Sequence, residues 1–276
     1  MHSVAFPAIR KLRPAQSRGD ETMNMFDLKD RVAIVTGGNG GIGLGMARGL
    51  AQAGATVVIA GRNAAKSAQA VGELRALGAT AAAIEVDVRD DASCTRLVED
   101  TAGRFGRLDI LVNNAGTNLR KQPQEYTIAE WRELIDTNLT SAFVCSNAAY
   151  PHMKKAGGGK IINIGSMMSI FGASFTAPYA ATKGGIVQMG RAMACAWAGD
   201  NIQVNCVLPG WIDTELTQGA RRDVQGLQER VVARTPAGRW GLPTDFAGIA
   251  VFLASPASDF VTGTAIPVDG GYSIQG

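Results

Sequence analysis

The stretch TGGNGGIG, Thr36 to Gly43, follows the apolar run RVAIV and precedes LGMARGLAQAGA, which has helical spacing. Five of its eight residues are glycines, which let a backbone adopt positive φ and approach a ligand where a Cβ would clash. If a helix follows, its free N–H groups and its dipole favour an anion at this loop. A flexible turn without a ligand is the alternative, because a glycine pattern is weak evidence until its surroundings are known.

Composition excludes several classes of protein. The chain has 276 residues, 46% of them hydrophobic, and a formal net charge of +3 with Lys and Arg scattered among Asp and Glu. This length fits a single α/β domain or two small ones, and no linker divides it. The scattered charge does not suggest a nucleic-acid surface, and no apolar run reaches the roughly 18 residues that span a bilayer. We therefore expect a small-molecule substrate, with no nucleic acid and no membrane as partners.

Cysteine and histidine usage excludes further classes. The four cysteines show no CxxC pairing and lie in apolar or helical stretches, which indicates reduced thiols in a cytoplasmic protein. The two histidines, His2 and His152, are too few for a His-rich metal site and lie in no arrangement for a Ser/His/Asp hydrolase. We predict no metal site.

The first residues differ in composition from the rest. The stretch 1–22 carries four basic groups and no acid before Asp20, and it lacks the apolar core of a secretory signal. A targeting arm is one interpretation. We expect instead a disordered extension over 1–24 or an early start codon, since Met23 and Met25 precede the globular pattern. The domain then covers 25–276.

Short β-branched runs alternate with longer segments of helical spacing. The runs are predicted strands, and they cover 31–36, 55–61, 80–88, 109–116, 160–166, 202–210 and 264–271. Such alternation is typical of βαβ units, and continuous apolar strands need burial on both faces. We predict an α/β fold with a doubly wound, seven-stranded parallel sheet flanked by helices. In such sheets ligands bind beyond the carboxyl ends of the strands.

Motifs stand at or close to these carboxyl ends. They are TGGNGGIG, Asp87 in EVDV, NNAG, Ser166, PYAATK and PGWIDT. In this order and spacing the chain resembles the classical short-chain dehydrogenase/reductase family from about Phe26 onward. The resemblance implies a single-domain Rossmann fold, a nicotinamide dinucleotide cofactor, and hydride transfer between that cofactor and a secondary alcohol or ketone.

The resemblance also implies which residues bind the cofactor. The glycine motif wraps the pyrophosphate, EVDV contacts the adenine, NNAG lines the cleft, and PGWIDT lies against the nicotinamide. For Asn113 the favoured role is structural, as a brace of the central strand. The expected cofactor residues are Gly37, Asn39, Gly41, Ile42, Gly43, Arg62, Asp87, Val88, Asn114, Ala115, Gly116, Tyr179, Lys183, Pro209, Gly210, Ile212 and Thr214.

Tyr179 and Lys183 are four residues apart on a predicted helix that Pro178 can start, so their side chains share one face. Taken alone, such a pair is usually an ordinary surface pair. A phenol of pKa about 10 is a poor base at neutral pH. A cation about 4 Å away in a dielectric of about 20 is worth roughly 4 kcal/mol, which brings the pKa to about 7. Tyr179 then accepts the proton of an alcohol as hydride leaves its carbon.

The resemblance adds two residues to this pair. It implies that Ser166 orients the substrate oxygen and that Asn138 holds a water leading to the lysine. In isolation Ser166 is an ordinary hydroxyl at a strand end, while Asn138 in the middle of a helix is otherwise unfavourable. The predicted catalytic residues are Ser166, Tyr179, Lys183 and Asn138.

The end of the second strand bears on the choice of cofactor. NAD-preferring members of the family carry an acid there, whereas this chain has Gly61 followed by Arg62. Without that carboxylate a 2′-phosphate is not repelled, and Arg62 can bind it by charge and planar donors. Against this, Gly40 stands where many NADP enzymes carry a basic residue, and an exposed arginine is also an ordinary solvated side chain. We expect NADP more than NAD.

The C-terminal stretch 235–271 resembles, within the family, the dehydrogenases that act on gluconate or deoxygluconate, and SMMS after the fifth strand agrees. Arg120 and Lys121 follow NNAG at the cleft edge, where a substrate carboxylate can lie, although a solvated basic loop explains them equally well. The expected substrate contacts are Arg120, Ser166 and Tyr179. The segment between Thr214 and Pro243 would form the substrate lid, and its Trp240 is a packing residue in the favoured interpretation.

Other functions share these motifs. A 3-oxoacyl-carrier-protein reductase or a generic carbonyl reductase would carry the same catalytic residues, and the polar, basic lid favours small anions over acyl chains only slightly. A non-catalytic dinucleotide sensor on the same fold would not need the four catalytic residues. The resemblance also implies a homotetramer, with the helices of Asn138 and Tyr179 and the last strand in its interfaces.

Overall fold

Seven parallel strands form one sheet in the part of the chain that the computed structural model describes, residues 25–275. The predicted extension over 1–24 lies outside these residues. The strands are β1 (Val32–Thr36), β2 (Thr56–Gly61), β3 (Ala81–Glu85), β4 (Ile110–Asn113), β5 (Gly159–Ile164), β6 (Ile202–Pro209) and β7 (Ala265–Val268). Their order is β3-β2-β1-β4-β5-β6-β7. The predicted doubly wound, seven-stranded parallel sheet is confirmed, but the predictions for β3, β4, β5 and β7 ran too far because their last residues turn into loops.

Helices cover both faces of the sheet. Those of the described part are α1 (Gly41–Gln52), α2 (Ala64–Ala76), α3 (Asp91–Phe105), α4 (Ile128–Ile135), α5 (Ser141–Lys155), α6 (Ala177–Trp197), α7 (Glu215–Asp223), α8 (Leu227–Arg234) and α9 (Ala247–Ala254). A π-helical turn, Asp136–Thr140, lies between α4 and α5. None of the helices in residues 25–275 is both long enough and apolar enough to cross a membrane.

Burial is continuous along the middle of the sheet. Every residue of β1, β4, β5 and β6 is buried. Side chains of α1, α2 and α9 pack on one face, and those of α3, α5 and α6 pack on the other. Burial on both faces explains why these strands are apolar throughout rather than alternating.

Two glycines of α1 allow close packing against the segment around α9. A Cβ at Gly45 would lie 1.9 Å from the carbonyl oxygen of Pro243, and one at Gly49 would lie 2.7 Å from that of Ala247. No larger residue fits either position without moving the backbone. This contact holds the amino end of α1, which carries the glycine loop, at the carboxyl ends of the strands.

An ion cluster joins the amino ends of β1 and β4. The carboxylate of Asp109, 4% exposed, accepts hydrogen bonds from Arg107 Nε at 2.8 Å, from Arg31 Nη1 at 3.0 Å and from the Val32 N–H at 3.0 Å. Burial raises the pKa of Asp109, but the donors from Arg107, Val32 and Arg31 outweigh it and hold that pKa below its usual value.

Candidate active site

A cleft opens at the carboxyl ends of β1 and β4, where the strand order reverses. It contains a larger cavity of about 490 Å³ and a smaller one of about 310 Å³ that share part of their lining. Of the predicted cofactor residues, Asp87 and Val88 line the smaller cavity, and all the others except Gly43 line the larger one. The topology therefore brings into one cleft residues that are far apart in the sequence.

The glycine loop contributes to the lining of both cavities through Gly37 and Asn39. Gly37 and Gly41 have φ of +61° and +50°, which residues with a Cβ rarely adopt. Gly43 does not line a cavity, and a Cβ there would lie 2.4 Å from Nδ2 of Asn114 and 2.5 Å from the carbonyl oxygen of Gly37. Gly43 thus allows α1 to approach the loop after β4.

Thr36 and Asn114 join the glycine loop to the loop after β4. The hydroxyl of Thr36 accepts from the N–H groups of Asn114 and Ala115, each at 3.0 Å. Nδ2 of Asn114 donates to the carbonyls of Thr36 and Gly37 at 2.9 and 3.1 Å. Thr36 is not among the predicted site residues, although its place at the start of TGGNGGIG was the available signal. Asn113 is buried and donates to Ser146 and Asn163, which agrees with a structural role.

Three of the four predicted catalytic residues line the larger cavity. Ser166 follows β5, and Tyr179 and Lys183 lie one turn apart on α6. Lys183 is buried, and its Nζ donates to the carbonyl of Ile164 at 2.7 Å. The oxygen of Ser166 accepts from the Met168 N–H at 3.1 Å, which fixes the side chain at the start of a short 3₁₀ turn.

The pKa values of the pair differ from the expectation. Burial raises the pKa of Tyr179, and the neighbouring Ser166 hydroxyl and the charge of Arg120 only partly oppose this. Burial lowers the pKa of Lys183 to about 8. The prediction that Lys183 brings the phenol to a pKa of about 7 is wrong for the chain by itself, because desolvation of the phenolate dominates.

Asn138 lies in the π-helical turn and is fully buried. Its Oδ1 accepts from the Thr117 N–H at 2.8 Å, and its Nδ2 donates to the Thr117 carbonyl at 2.9 Å. A Cβ on Gly116 would lie 3.2 Å from this Oδ1 and 3.6 Å from Nζ of Lys183. The side chain of Asn138 therefore fixes the loop after β4 beside the lysine, and it does not line either cavity.

The smaller cavity contains a charged network. The guanidinium of Arg89 donates to the carboxylate of Asp87 at 2.7 and 3.1 Å and lies 3.3 Å from Glu133. The hydrogen bonds from Arg89 lower the pKa of Asp87 to about 2, and the charge of Arg62 contributes. Arg89 is not among the predicted site residues, although it lies two residues after Asp87.

Arg120 and Lys121 differ in their partners. Lys121 forms an ion pair with Glu130, whereas Arg120 has no ion-pair partner among residues 25–275. The charge of Arg120 acts to lower the pKa of Tyr179, although Arg120 lines neither cavity of the cleft. Of the two basic residues after NNAG, Arg120 is the one without an ion-pair partner in the described part of the chain.

The segment between β6 and α9 carries α7 and α8. Trp240 is 6% exposed and lies 5.4 Å from the ring of Trp211, and the guanidinium of Arg221 stacks 3.8 Å above it. Trp240 is thus a packing residue, as expected. Glu215 at the start of α7 pairs with Lys66 of α2, a cavity-lining residue that the sequence analysis missed although it lies four residues after Arg62.

Comparisons with known proteins agree with this geometry. A family model described as enoyl-(acyl carrier protein) reductase matches residues 37–273. The 2-dehydro-3-deoxy-D-gluconate 5-dehydrogenase of Escherichia coli K12 is 43% identical over 251 residues, 91% of this chain and 98% of the relative. The gluconate 5-dehydrogenase of Gluconobacter oxydans is 39% identical over 252 residues, again 91% and 98%.

Solved structures share the fold. The crystal structure of a gluconate 5-dehydrogenase from Burkholderia cenocepacia J2315, in complex with NADP and tartrate, aligns with a TM-score of 0.87 at 41% identity. The alignment covers 91% of this chain and 98% of that one. The resemblance predicted from the motifs is confirmed: the chain belongs to the short-chain dehydrogenase/reductase family.

Proposed function

We propose that this chain is an NADP-dependent oxidoreductase that transfers hydride between the nicotinamide and a secondary alcohol of a gluconate-like sugar acid. The observation that carries the proposal is one cleft in which Ser166, Tyr179 and Lys183 line the same cavity as the glycine loop. A proton donor, an orienting hydroxyl and a buried cation then lie together at the place where a parallel sheet of this kind binds its ligand.

The residues of the cleft fit a dinucleotide. The two joined cavities offer separate places for its halves, and the loop between them has the positive-φ glycines Gly37 and Gly41 that a pyrophosphate needs for close approach. Asp87 and Val88 would hold the adenine, and Ile212 and Thr214 the nicotinamide. When bound, the oxidised nicotinamide accepts the hydride and adds positive charge near the phenol.

Residues of the chain transfer the proton to or from the substrate oxygen in this proposal. Because burial raises the pKa of Tyr179, its phenol is protonated at neutral pH and can donate directly to a ketone oxygen in reduction. In oxidation the same oxygen must first lose its proton. Ser166 would orient the reacting oxygen, and Lys183 would stabilise the phenolate. Asn138 would keep the loop after β4 beside the lysine, and a water there would connect that lysine to solvent.

Two features support NADP over NAD. Arg62 is exposed at the smaller cavity and has no ion-pair partner among the described residues, so it is available to a 2′-phosphate. Gly61 stands where an acid would contact the ribose, and a Cβ there would lie 2.7 Å from Nδ2 of Asn39. That amide donates to Ser67 at 3.0 Å and occupies the space that an acidic side chain would need.

The substrate class is supported by Arg120 and by the relatives. A half-buried guanidinium whose charge acts on the phenol, without an acidic partner in residues 25–275, suits a substrate carboxylate. The two curated relatives are named for gluconate-type substrates, and the Burkholderia structure holds tartrate. Tartrate carries hydroxyl and carboxylate groups, as a sugar acid does.

The alternative enzyme is a 3-oxoacyl-carrier-protein reductase or a generic carbonyl reductase. The description of the matching family model is an observation in its favour, since it names an acyl-carrier-protein substrate. Against it, α7 has the polar sequence ELTQGARRD, which offers little apolar surface to an acyl chain. A non-catalytic dinucleotide sensor is a further alternative. It would not require Ser166, Tyr179 and Lys183 in the cleft, so their presence there favours an enzyme.

The test follows the absorbance of the reduced nicotinamide. The purified protein receives NADP or NAD with hexonates, deoxyhexonates, polyols and simple secondary alcohols, and the reduced cofactors with keto acids and acetoacetyl thioesters. We expect fastest turnover of a sugar acid with NADP. Turnover of thioesters alone would favour the carrier-protein reductase, and binding of cofactor without turnover of any compound would favour the sensor.

We further propose a homotetramer that works in the cytoplasm. The helices α4 and α5 expose large apolar side chains, with Ile128 at 64%, Phe143 at 51% and Trp131 at 40% exposure, which suits an interface between copies. All four cysteines are free thiols, which suits a reducing compartment. Light scattering of the purified full-length chain would measure the assembly, and the mass of a monomer would contradict it.

A further inference from the structure

Lys66 lies where the two cavities meet and is bound to the lid. It belongs to the first turn of α2, four residues after Arg62, and contributes to the lining of both cavities. Its Nζ donates to both carboxylate oxygens of Glu215, the first residue of α7, at 2.7 Å each. Because α2 follows β2 and α7 follows β6, this ion pair joins elements from opposite sides of the cleft.

We propose that Lys66 is a second cation, beside Arg62, for the 2′-phosphate of NADP, and that Glu215 is a competing anion that the phosphate displaces. The inference rests on the proposed preference for NADP and adds a residue and a lid contact to it. It assigns to Lys66 a role in cofactor specificity, and to Glu215 a role that opposes cofactor binding.

The charged residues of the smaller cavity indicate that Lys66 can supply a second positive charge to a phosphate. The basic residues that line this cavity are Arg62, Lys66 and Arg89, and Arg89 is neutralised by Asp87 and Glu133. A phosphate monoester carries close to two negative charges at neutral pH, so the single charge of Arg62 leaves it partly uncompensated. Among the described residues, Lys66 is the remaining cation of that cavity, and its ammonium already binds a carboxylate, that of Glu215.

The bond between Lys66 and Glu215 is one that a phosphate can replace. The two side chains are 46% and 82% exposed, and an ion pair in such contact with water contributes little to stability. A doubly charged phosphate attracts the ammonium more strongly than a carboxylate does, and it forms charge-assisted hydrogen bonds. Exchange of the carboxylate for the phosphate is therefore favourable, and it would free the start of α7 from α2.

A different role for the same pair is a strap that stays closed over the dinucleotide. The two roles predict opposite effects at Glu215. As a competitor, Glu215 weakens binding of NADP only, so Glu215→Gln should tighten it. As a strap, the pair holds either dinucleotide in place, so Glu215→Gln should weaken NADP and NAD alike.

The experiment measures dissociation constants by calorimetry for NADP, NAD, adenosine 2′,5′-bisphosphate and ADP, with the full-length protein and the variants Lys66→Gln, Glu215→Gln and Arg62→Gln. Lys154→Gln is the matched control, because Lys154 also pairs with an acid, Asp200, but does not line either cavity of the cleft. Binding of the two nicotinamide-free nucleotides reports on contacts to their phosphate groups without turnover.

We expect Lys66→Gln to weaken NADP and adenosine 2′,5′-bisphosphate about 10-fold while NAD and ADP change less than about twofold. Glu215→Gln should tighten the two 2′-phosphate compounds about 2- to 5-fold. Equal weakening of NADP and NAD by Lys66→Gln, no effect of that variant, or weakening of both cofactors by Glu215→Gln would overturn the inference.

The same measurements separate this inference from the proposed function. If the unchanged protein binds NADP no more tightly than NAD, the proposed preference and the role of Lys66 both fail. If it prefers NADP and Arg62→Gln removes that preference while Lys66→Gln does not, the proposed function stands and only the role of Lys66 is overturned.

Discussion

The ammonium nitrogen of Lys183 lies 5.6 Å from the centre of the Tyr179 ring and is held by the carbonyl of Ile164 at 2.7 Å. The lysine is therefore directed toward the end of β5 as much as toward the tyrosine. In the chain by itself, burial of the phenol outweighs the effect of nearby charge on its pKa. Under the proposed mechanism, proton transfer through Tyr179 therefore depends on what else is bound in the cleft.

Replacement of Tyr179 by phenylalanine should remove catalysis and leave the fold and cofactor binding intact. The ring still fills its site, but the proton donor is gone, so we expect kcat to fall about a thousandfold. Steady-state kinetics and calorimetric binding of NADP check this. Undiminished turnover would show that another group transfers the proton.

The ionisation of Tyr179 should depend on the cofactor. Because burial raises its pKa, the protein alone should form no tyrosinate from this residue below about pH 10, and addition of NADP should shift its ionisation to lower pH. Oxidation of an alcohol should then become faster with rising pH, as the phenolate forms. Ultraviolet difference titration of the unchanged protein against Tyr179→Phe measures the phenol directly. A tyrosinate signal near pH 7 in the protein alone would contradict the pKa order found here.

Arg120 and Lys121 form a matched pair of neighbours. Arg120→Gln should raise KM for a sugar acid about 10-fold with little change in kcat, since in the proposed function the guanidinium binds a carboxylate that takes no part in the reaction. Lys121→Gln should change KM less than about twofold, because Lys121 is already paired with Glu130. Steady-state kinetics of both variants decide this. Equal effects would instead indicate a general electrostatic attraction of the loop.

Asp109 should contribute to stability in a pH-dependent way. The pKa of Asp109 is lower in the folded protein than in the unfolded chain, where it is about 3.9. The carboxylate therefore contributes its full stabilisation above about pH 3.9, and this contribution is lost as the pH falls through the pKa of the folded state. Asp109→Asn should reduce the free energy of unfolding by about 2 kcal/mol at neutral pH, with a smaller difference in acid. Urea unfolding at neutral pH and in acid measures both.

A suitable control is Glu99→Gln, whose partner is His152 and whose side chain is 56% exposed. It should change stability by less than about 0.5 kcal/mol. The free energies of unfolding of Asp109→Asn and the unchanged protein could instead differ by the same amount at neutral and at acid pH. That result would mean that the charge of Asp109 does not stabilise the amino ends of β1 and β4.

Short-range patterns in the sequence were enough to predict the layers of the fold and the helix that carries Tyr179 and Lys183. Both follow from local rules: continuous apolar strands predict a parallel sheet buried on two faces, and side chains four positions apart on a helix share one face. The glycine loop and the motifs at the strand ends were visible for the same reason, since each is a short stretch of chain.

Which of these groups act on one another could not be predicted from the sequence, because it depends on how the elements pack. In the folded chain Lys121 has an ion-pair partner and Arg120 has none among residues 25–275. Both polar atoms of the Asn138 amide form hydrogen bonds with the backbone of Thr117. Lys66 binds Glu215, which lies 149 positions away in the sequence. Burial also reversed the expected direction of the Tyr179 pKa shift. Spacing along a chain reports neighbours on one element, whereas desolvation and long-range ion pairs depend on the packing of all elements around the group.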